Sequence, residues 1–264
     1  MLTLLRRTIA RVRTLLIVLI GLLAAFEVAL VATAVSVDQS KSFDHLAGLI
    51  PSFLRHSFGP ALASFAGMTS LGFFEPLIVM LVVQFAIFLA TEPAGDVETG
   101  IVDLVLARPV PRHWLVTRSL IAMTGVSILL PVTMGALQWI SLRLMAPPEA
   151  DWPEPGVILL LMAHLAAVAW CFGGAALAAA AWARRRGSAQ TLVGVAAVAL
   201  YLVEVVAEGW PRIAWTARLS PFHHFHGAGI LAGETDPARD LSILVALGVV
   251  GVVVGYWRFQ QRDV

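Results

Sequence analysis

The sequence predicts an all-α, polytopic membrane protein with six transmembrane helices and both termini in the cytoplasm. Three observations predict it. Of 264 residues, 59% are hydrophobic and 13% charged, and the mean hydropathy is +0.84. A soluble domain carries about 25% charged residues to cover its core. Six segments are apolar over the roughly 20 residues that a bilayer-spanning helix requires. The basic residues are also distributed unevenly between the connecting segments.

This balance argues against a soluble enzyme, a DNA-binding domain and a disordered tail. Basic and acidic residues nearly cancel, 18 against 17, so no bulk charge points to nucleic acid. The single cysteine, Cys171, excludes an intrachain disulfide and a CxxC metal site. The single lysine, Lys41, sits in Ser40-Lys41-Ser42 with no glycine before it. A P-loop needs G-x-x-x-x-G-K-[ST], so this chain carries no P-loop ATPase of its own.

Residues 1–13 place Leu2, Leu5, Ile9 and Val12 on one helical face and Arg7 and Arg11 opposite. They read as an amphipathic helix on the cytoplasmic leaflet, or as a basic tail that sets topology. The spans are expected at 14–37, 73–90, 115–137, 157–183, 189–207 and 241–257, forming one transmembrane domain over 14–264. The second could start earlier, because Gly59–Gly72 is also apolar. The first ends in Ala32-Thr33-Ala34, which resembles a signal-cleavage site, but its apolar run exceeds the usual 7–15 residues. Gly173-Gly174-Ala175-Ala176 in the fourth span and Gly251-x-x-x-Gly255 in the sixth read as close helix packing.

Twelve basic residues fall on one side of this arrangement: Arg6, Arg7, Arg11, Arg13, Arg108, Arg112, Arg118, Arg184, Arg185, Arg186, Arg258 and Arg262. The other six, Lys41, Arg55, Arg143, Arg212, Arg218 and Arg239, fall opposite. The positive-inside rule places the first set, and both termini, in the cytoplasm.

The segment between spans two and three is not a simple turn. Val97, Ile101, Leu104 and Val105 recur at helical spacing, with Asp96, Glu98 and Asp103 between them. Pro93 precedes this helix, and Pro109 and Pro111 stop it. Such a helix can lie on lipid or dock on a partner. The inner leaflet is anionic, so acidic charge favours a protein partner.

Here the chain resembles the permease subunits of ABC-2 type ABC transporters. Glu98-Thr99-Gly100, followed by Leu104-Val105-Leu106-Ala107-Arg108-Pro109-Val110-Pro111-Arg112, is similar to their Glu-rich, Gly-Thr-containing helix and its Leu-Leu-x-x-Pro-x-x-Arg sequel. Leu219-Ser220-Pro221-Phe222 and the closing Phe259-Gln260-Gln261-Arg262-Asp263-Val264 follow in the family's order. Ile101 and Arg118 depart from the usual Thr and Lys.

The resemblance implies an ABC-2 (type V exporter-like) permease fold and a half-transporter without its own ATPase domain. A second permease copy, as homodimer or heterodimer, would complete the membrane core in a bacterial-type inner membrane. Two separate ATPase subunits would bind ATP and Mg, with no cofactor in this chain. It implies a cytoplasmic coupling helix over 96–107, with Asp96, Val97, Glu98, Gly100, Ile101, Asp103, Leu104, Arg108, Pro109 and Arg112 at the ATPase interface. It also implies short helices dipping into the membrane surface over an outer re-entrant segment, 208–240. The short outer segments favour export.

Glu27, Glu75, Glu204 and Glu208 fall in or beside spans, and His164 lies within the fourth. Charge inside a bilayer costs about 2.5–3.5 kcal/mol on insertion scales, so such groups face water or a partner. They read as a polar, outward-opening substrate pathway, or as groups paired with outer arginines. His223-His224-x-His226 invites a metal reading, but the sequence sets no acidic or cysteine ligand beside it. A secondary transporter using the outer glutamates is the alternative function, although the chain has no internal repeat. An intramembrane enzyme lacks its motifs, since no HExxH or GxSxG occurs. A purely structural membrane subunit is the remaining class.

Overall fold

The computed structural model describes residues 2–40, 43, 63–100, 111 and 113–261. The described residues form helices and turns, and six helical segments are long and apolar enough to cross a membrane. The first is α1, Leu2–Ser40. A break follows the short α2, Phe65–Ser70, and its 3-10 turn Leu71–Phe73. Glu75 then caps α3, Pro76–Ala90, by accepting a hydrogen bond from the Ile78 amide at 3.0 Å. Next come α4, Glu92–Glu98, and the long α5, His113–Met145. α6 is Pro155–Trp182 and α7 is Arg186–Gly209. Short elements, including α8 (Ala214–Ala217) and α9 (Gly227–Ala232), lead to α10, Pro237–Gln260.

The core lies where α1, α3, α5 and α6 meet, around Leu23, Val79, Val82, Leu130, Met134, Leu161 and Leu165, all fully buried. α3 is almost uniformly apolar because it is covered on most sides. α7 and α10 keep broad apolar faces exposed, as lipid-facing helices do.

α10 packs backbone-to-backbone on α6. A Cβ built on Gly251 would lie 2.5 Å from the Gly174 carbonyl carbon, and one on Gly255 would lie 3.1 Å from that of Leu177. These glycines do act in packing. Within the apolar interior a few polar side chains bond across helices. Gln84 Nε2 donates to the Gly194 carbonyl at 3.3 Å, and Trp170 Nε1 to Thr124 Oγ1 at 2.8 Å.

Two sequence expectations change. Residues 2–13 do not form a separate surface helix; they continue α1 without a break. No glycine or proline interrupts the chain before Gly21, and the helix is about 58 Å long at 1.5 Å per residue. Of the helix expected at 96–107, residues 101–107 lie outside the described residues, and the described part belongs to α4, which begins at Glu92 and ends at Glu98. Gly100 adopts φ +67°, a left-handed conformation that terminates the helix. Pro93, expected to precede the helix, sits in its first turn, where its missing N–H costs nothing.

Candidate functional site

α4 follows directly on α3 through Thr91, whose hydroxyl donates to the Ile87 carbonyl at 3.1 Å. Ala94 is buried against Ala180 at the end of α6 and Ala189 at the start of α7. Small residues therefore bring α4 into close contact with two spans. That contact places two acids, Glu92 and Asp96, in the protein interior at 1% and 2% exposure.

Both acids are paired. Arg118, itself 3% exposed and in the second turn of α5, reaches Asp96 Oδ2 at 2.5 Å and Glu92 Oε2 at 3.9 Å. Arg186, the first residue of α7, meets Glu92 Oε1 at 2.9 Å. Its other nitrogen donates to the Phe88 carbonyl at 2.7 Å, and its guanidinium lies 4.1 Å from the centre of the Phe88 ring. Arg11 of α1 donates to Glu92 Oε2 at 3.1 Å. Gly95 leaves room for this arrangement, since a Cβ there would lie 3.1 Å from Arg186 Cδ. Glu98 is exposed but also engaged, accepting from the Arg186 amide at 2.9 Å at the start of α7. One seven-residue helix is thus tied by charge to the ends of α1, α5 and α7.

The last turns of α10 lie at this same end. Tyr256 donates to Thr117 Oγ1 at 2.7 Å, and Arg258 stands 5.9 Å from the Trp182 ring centre.

Asp96, expected at the ATPase interface, is buried and paired with Arg118. Val97 is half-buried against the core, and Gly100 ends the helix. Ile101, Asp103, Leu104, Arg108, Pro109 and Arg112 lie outside the described residues. Glu92, Arg11 and Arg186, absent from the expected interface, join Arg118 and Asp96 in the ion-pair cluster. The signal for Glu92 was available, since an acid flanked by an apolar span and a proline at a helix start is placed for burial.

A second cluster occupies the opposite end of the bundle. Glu204 lies eighteen residues after Arg186 on α7, about 27 Å away along the helix. Ser220 caps the following turn by accepting from the Phe222 amide at 3.1 Å and donates to the Leu200 carbonyl at 3.2 Å. Phe222 is buried between Phe172 and Tyr201, with ring centres 5.1 and 5.3 Å away. The Leu219-Ser220-Pro221-Phe222 stretch thereby fixes the 3-10 turn Pro221–His224 against α7. His223 Nδ1 comes to 3.2 Å from Glu204 Oε1 and His226 Nε2 to 3.7 Å. His224 turns elsewhere, to Asp240 Oδ1 of α10 at 2.9 Å. An acidic group does lie beside the histidines, brought there by folding from 19 residues away.

The other membrane acids have different neighbours. Glu27 is fully buried on α1, and neither carboxylate oxygen has a hydrogen-bond partner among the described residues. It presses on Gly72, at the break before α3, where any Cβ would collide with its Oε1. Glu75 serves as the cap of α3. His164 is buried, with Nδ1 2.8 Å from the Leu160 carbonyl of its own helix. The side chain of Glu208 lies outside the described ones.

Against known proteins, a family model described as ABC-2 family transporter protein matches residues 4–264. The chain belongs to the ABC-2 transporter family. The match covers all six spans, the α4 cluster and the histidine cluster together. This ABC-2 protein is an integral membrane component of a transporter, with a permease role rather than an enzymatic one. No curated protein matches the chain.

Proposed function

We propose that this protein is the permease half of an ATP-driven ABC-2 exporter of the cytoplasmic membrane. Two permease copies form the pathway, and two separate ATPase subunits that bind ATP and Mg drive it from the cytoplasm. The positive-inside rule puts the α4 end, with both termini, on that side. The observation that carries the reading is the charge cluster around Glu92. A short helix whose two buried carboxylates are ion-paired to three span ends cannot be pushed without moving those spans. The cluster supports α4 as the coupling element, with docking on its exposed edge near Glu98 and on the segment that follows.

The test is affinity purification of the protein from its native membrane. A P-loop ATPase should co-purify in equal copy number. Glu92→Gln should keep that ATPase bound but lower its turnover in proteoliposomes at least fivefold. Recovery of the permease without any ATPase, or unchanged turnover in Glu92→Gln, counts against the proposal.

Glu27 is the most deeply buried of the described acids proposed for the pathway. A buried carboxyl group without a hydrogen-bond partner is costly, so replacing it with an apolar group should relieve the protein. Glu27→Leu is expected to raise thermal stability in detergent by about 1–3 kcal/mol, measured by unfolding against the wild type. The same variant should lose ATPase turnover coupled to transport. A destabilised Glu27→Leu shows instead that the carboxylate is structural.

A further inference from the structure

We propose that Glu204, His223 and His226 form a binding site for a divalent transition-metal ion of the zinc or copper(II) type. The inference goes beyond the transport reading and does not depend on ATPase coupling. It rests on three donor atoms brought together by the fold. One ligand atom from each residue lies within 4.8 Å of the other two. Glu204 Oε1 stands 3.2 Å from His223 Nδ1 and 3.7 Å from His226 Nε2. Ligands held about 2.0–2.2 Å from a tetrahedral ion stand roughly 3.3–3.5 Å from one another, close to both separations between Glu204 and the histidines.

The donor set selects the ion. Calcium takes six to eight oxygen ligands and magnesium near-octahedral oxygen, whereas this site offers two imidazoles and one carboxylate. Imidazole with carboxylate suits zinc and copper(II), and three protein ligands leave a fourth position for water. The site is reachable. His223 and His226 keep about a third of their side chains exposed, while the Glu204 side chain is 9% exposed and supplies the anchored charge.

The neighbourhood supports the same reading. His224, between the two ligands in sequence, is held by Asp240 and fastens the turn to α10. The turn is also pinned by Ser220 and Phe222. His223 is therefore presented to Glu204 by a braced turn, and His226 follows it at the N-cap of α9. A bound ion would link α7 to the segment leading into α10.

The experiment uses the full-length protein in detergent, freed of any histidine tag, and titrates Zn(II) and Cu(II) by calorimetry. One ion per chain is expected, with Cu(II) showing nitrogen hyperfine structure by electron paramagnetic resonance. Glu204→Gln and His226→Asn should each weaken binding at least tenfold. His113→Asn, at the other end of the bundle, should not. His226→Asn alters a partly exposed side chain, so it keeps the test valid if Glu204→Gln fails to fold. Monodisperse wild type without saturable binding, or affinity unchanged in His226→Asn, overturns the proposal.

Discussion

Arg118→Met is expected to destabilise the protein by about 3–5 kcal/mol, because it leaves two buried carboxylates without their shared cation. Arg118 is almost fully buried, and Asp96 and Glu92, equally buried, sit on it from the same helix. Arg186 and Arg11 reach Glu92 only, so Asp96 would have no replacement among these arginines. Thermal unfolding in detergent, followed by circular dichroism, measures the loss. The double variant Arg118→Met with Asp96→Asn should recover much of it, since replacing both partners of a buried pair is often nearly neutral. If α4 is the coupling element, this double variant stays folded and still fails to stimulate the ATPase. A loss below about 1 kcal/mol for Arg118→Met alone, the range of exposed pairs, means that the cluster is solvated.

Gly251→Val should separate α10 from α6, at a cost of about 1–3 kcal/mol or more. The added carbons meet the Gly174 carbonyl carbon at 2.5 Å, its oxygen at 2.7 Å and the Ala175 nitrogen at 2.8 Å, all backbone atoms. Backbone within a spanning helix cannot rotate aside as a side chain can, so the helices themselves must part. Cysteines placed across the α6–α10 interface should lose their oxidative cross-link in this variant. Gly125→Ala is the matching control. It has nothing within 4 Å of the new carbon, and alanine favours helix by up to about 1 kcal/mol. Equal effects from the two substitutions rule out packing as the cause.

What was legible along the chain depended on how locally each property is encoded. The six spans were readable because membrane crossing depends on composition within one continuous segment. Their ends shifted where a local rule allowed two outcomes. Pro93 reads equally well before a helix or in its first turn, and the backbone chose the first turn. In sequence Gly100 belongs to the Glu98-Thr99-Gly100 motif, and only its positive φ reveals its second role as a helix terminator. The periodicity of 96–107 points its charged residues, Asp96, Glu98 and Asp103, to a docking face. Periodicity gives the face of a helix but not what covers it, and Asp96 faces Arg118 in the interior.

By itself, then, the sequence determined a six-span, all-helical membrane protein of the ABC-2 family, without a P-loop. Hydropathy and motif order are sums and strings read in one dimension, and they survive without any knowledge of packing. Only the tertiary structure decided which charges meet. Arg11 and Glu92 are 81 residues apart, and Glu204 and His223 are 19 apart. Such pairs form because helix faces are chosen by burial across the whole bundle, and the cost of an unpaired charge in an apolar interior forces each one to the partner that packing provides.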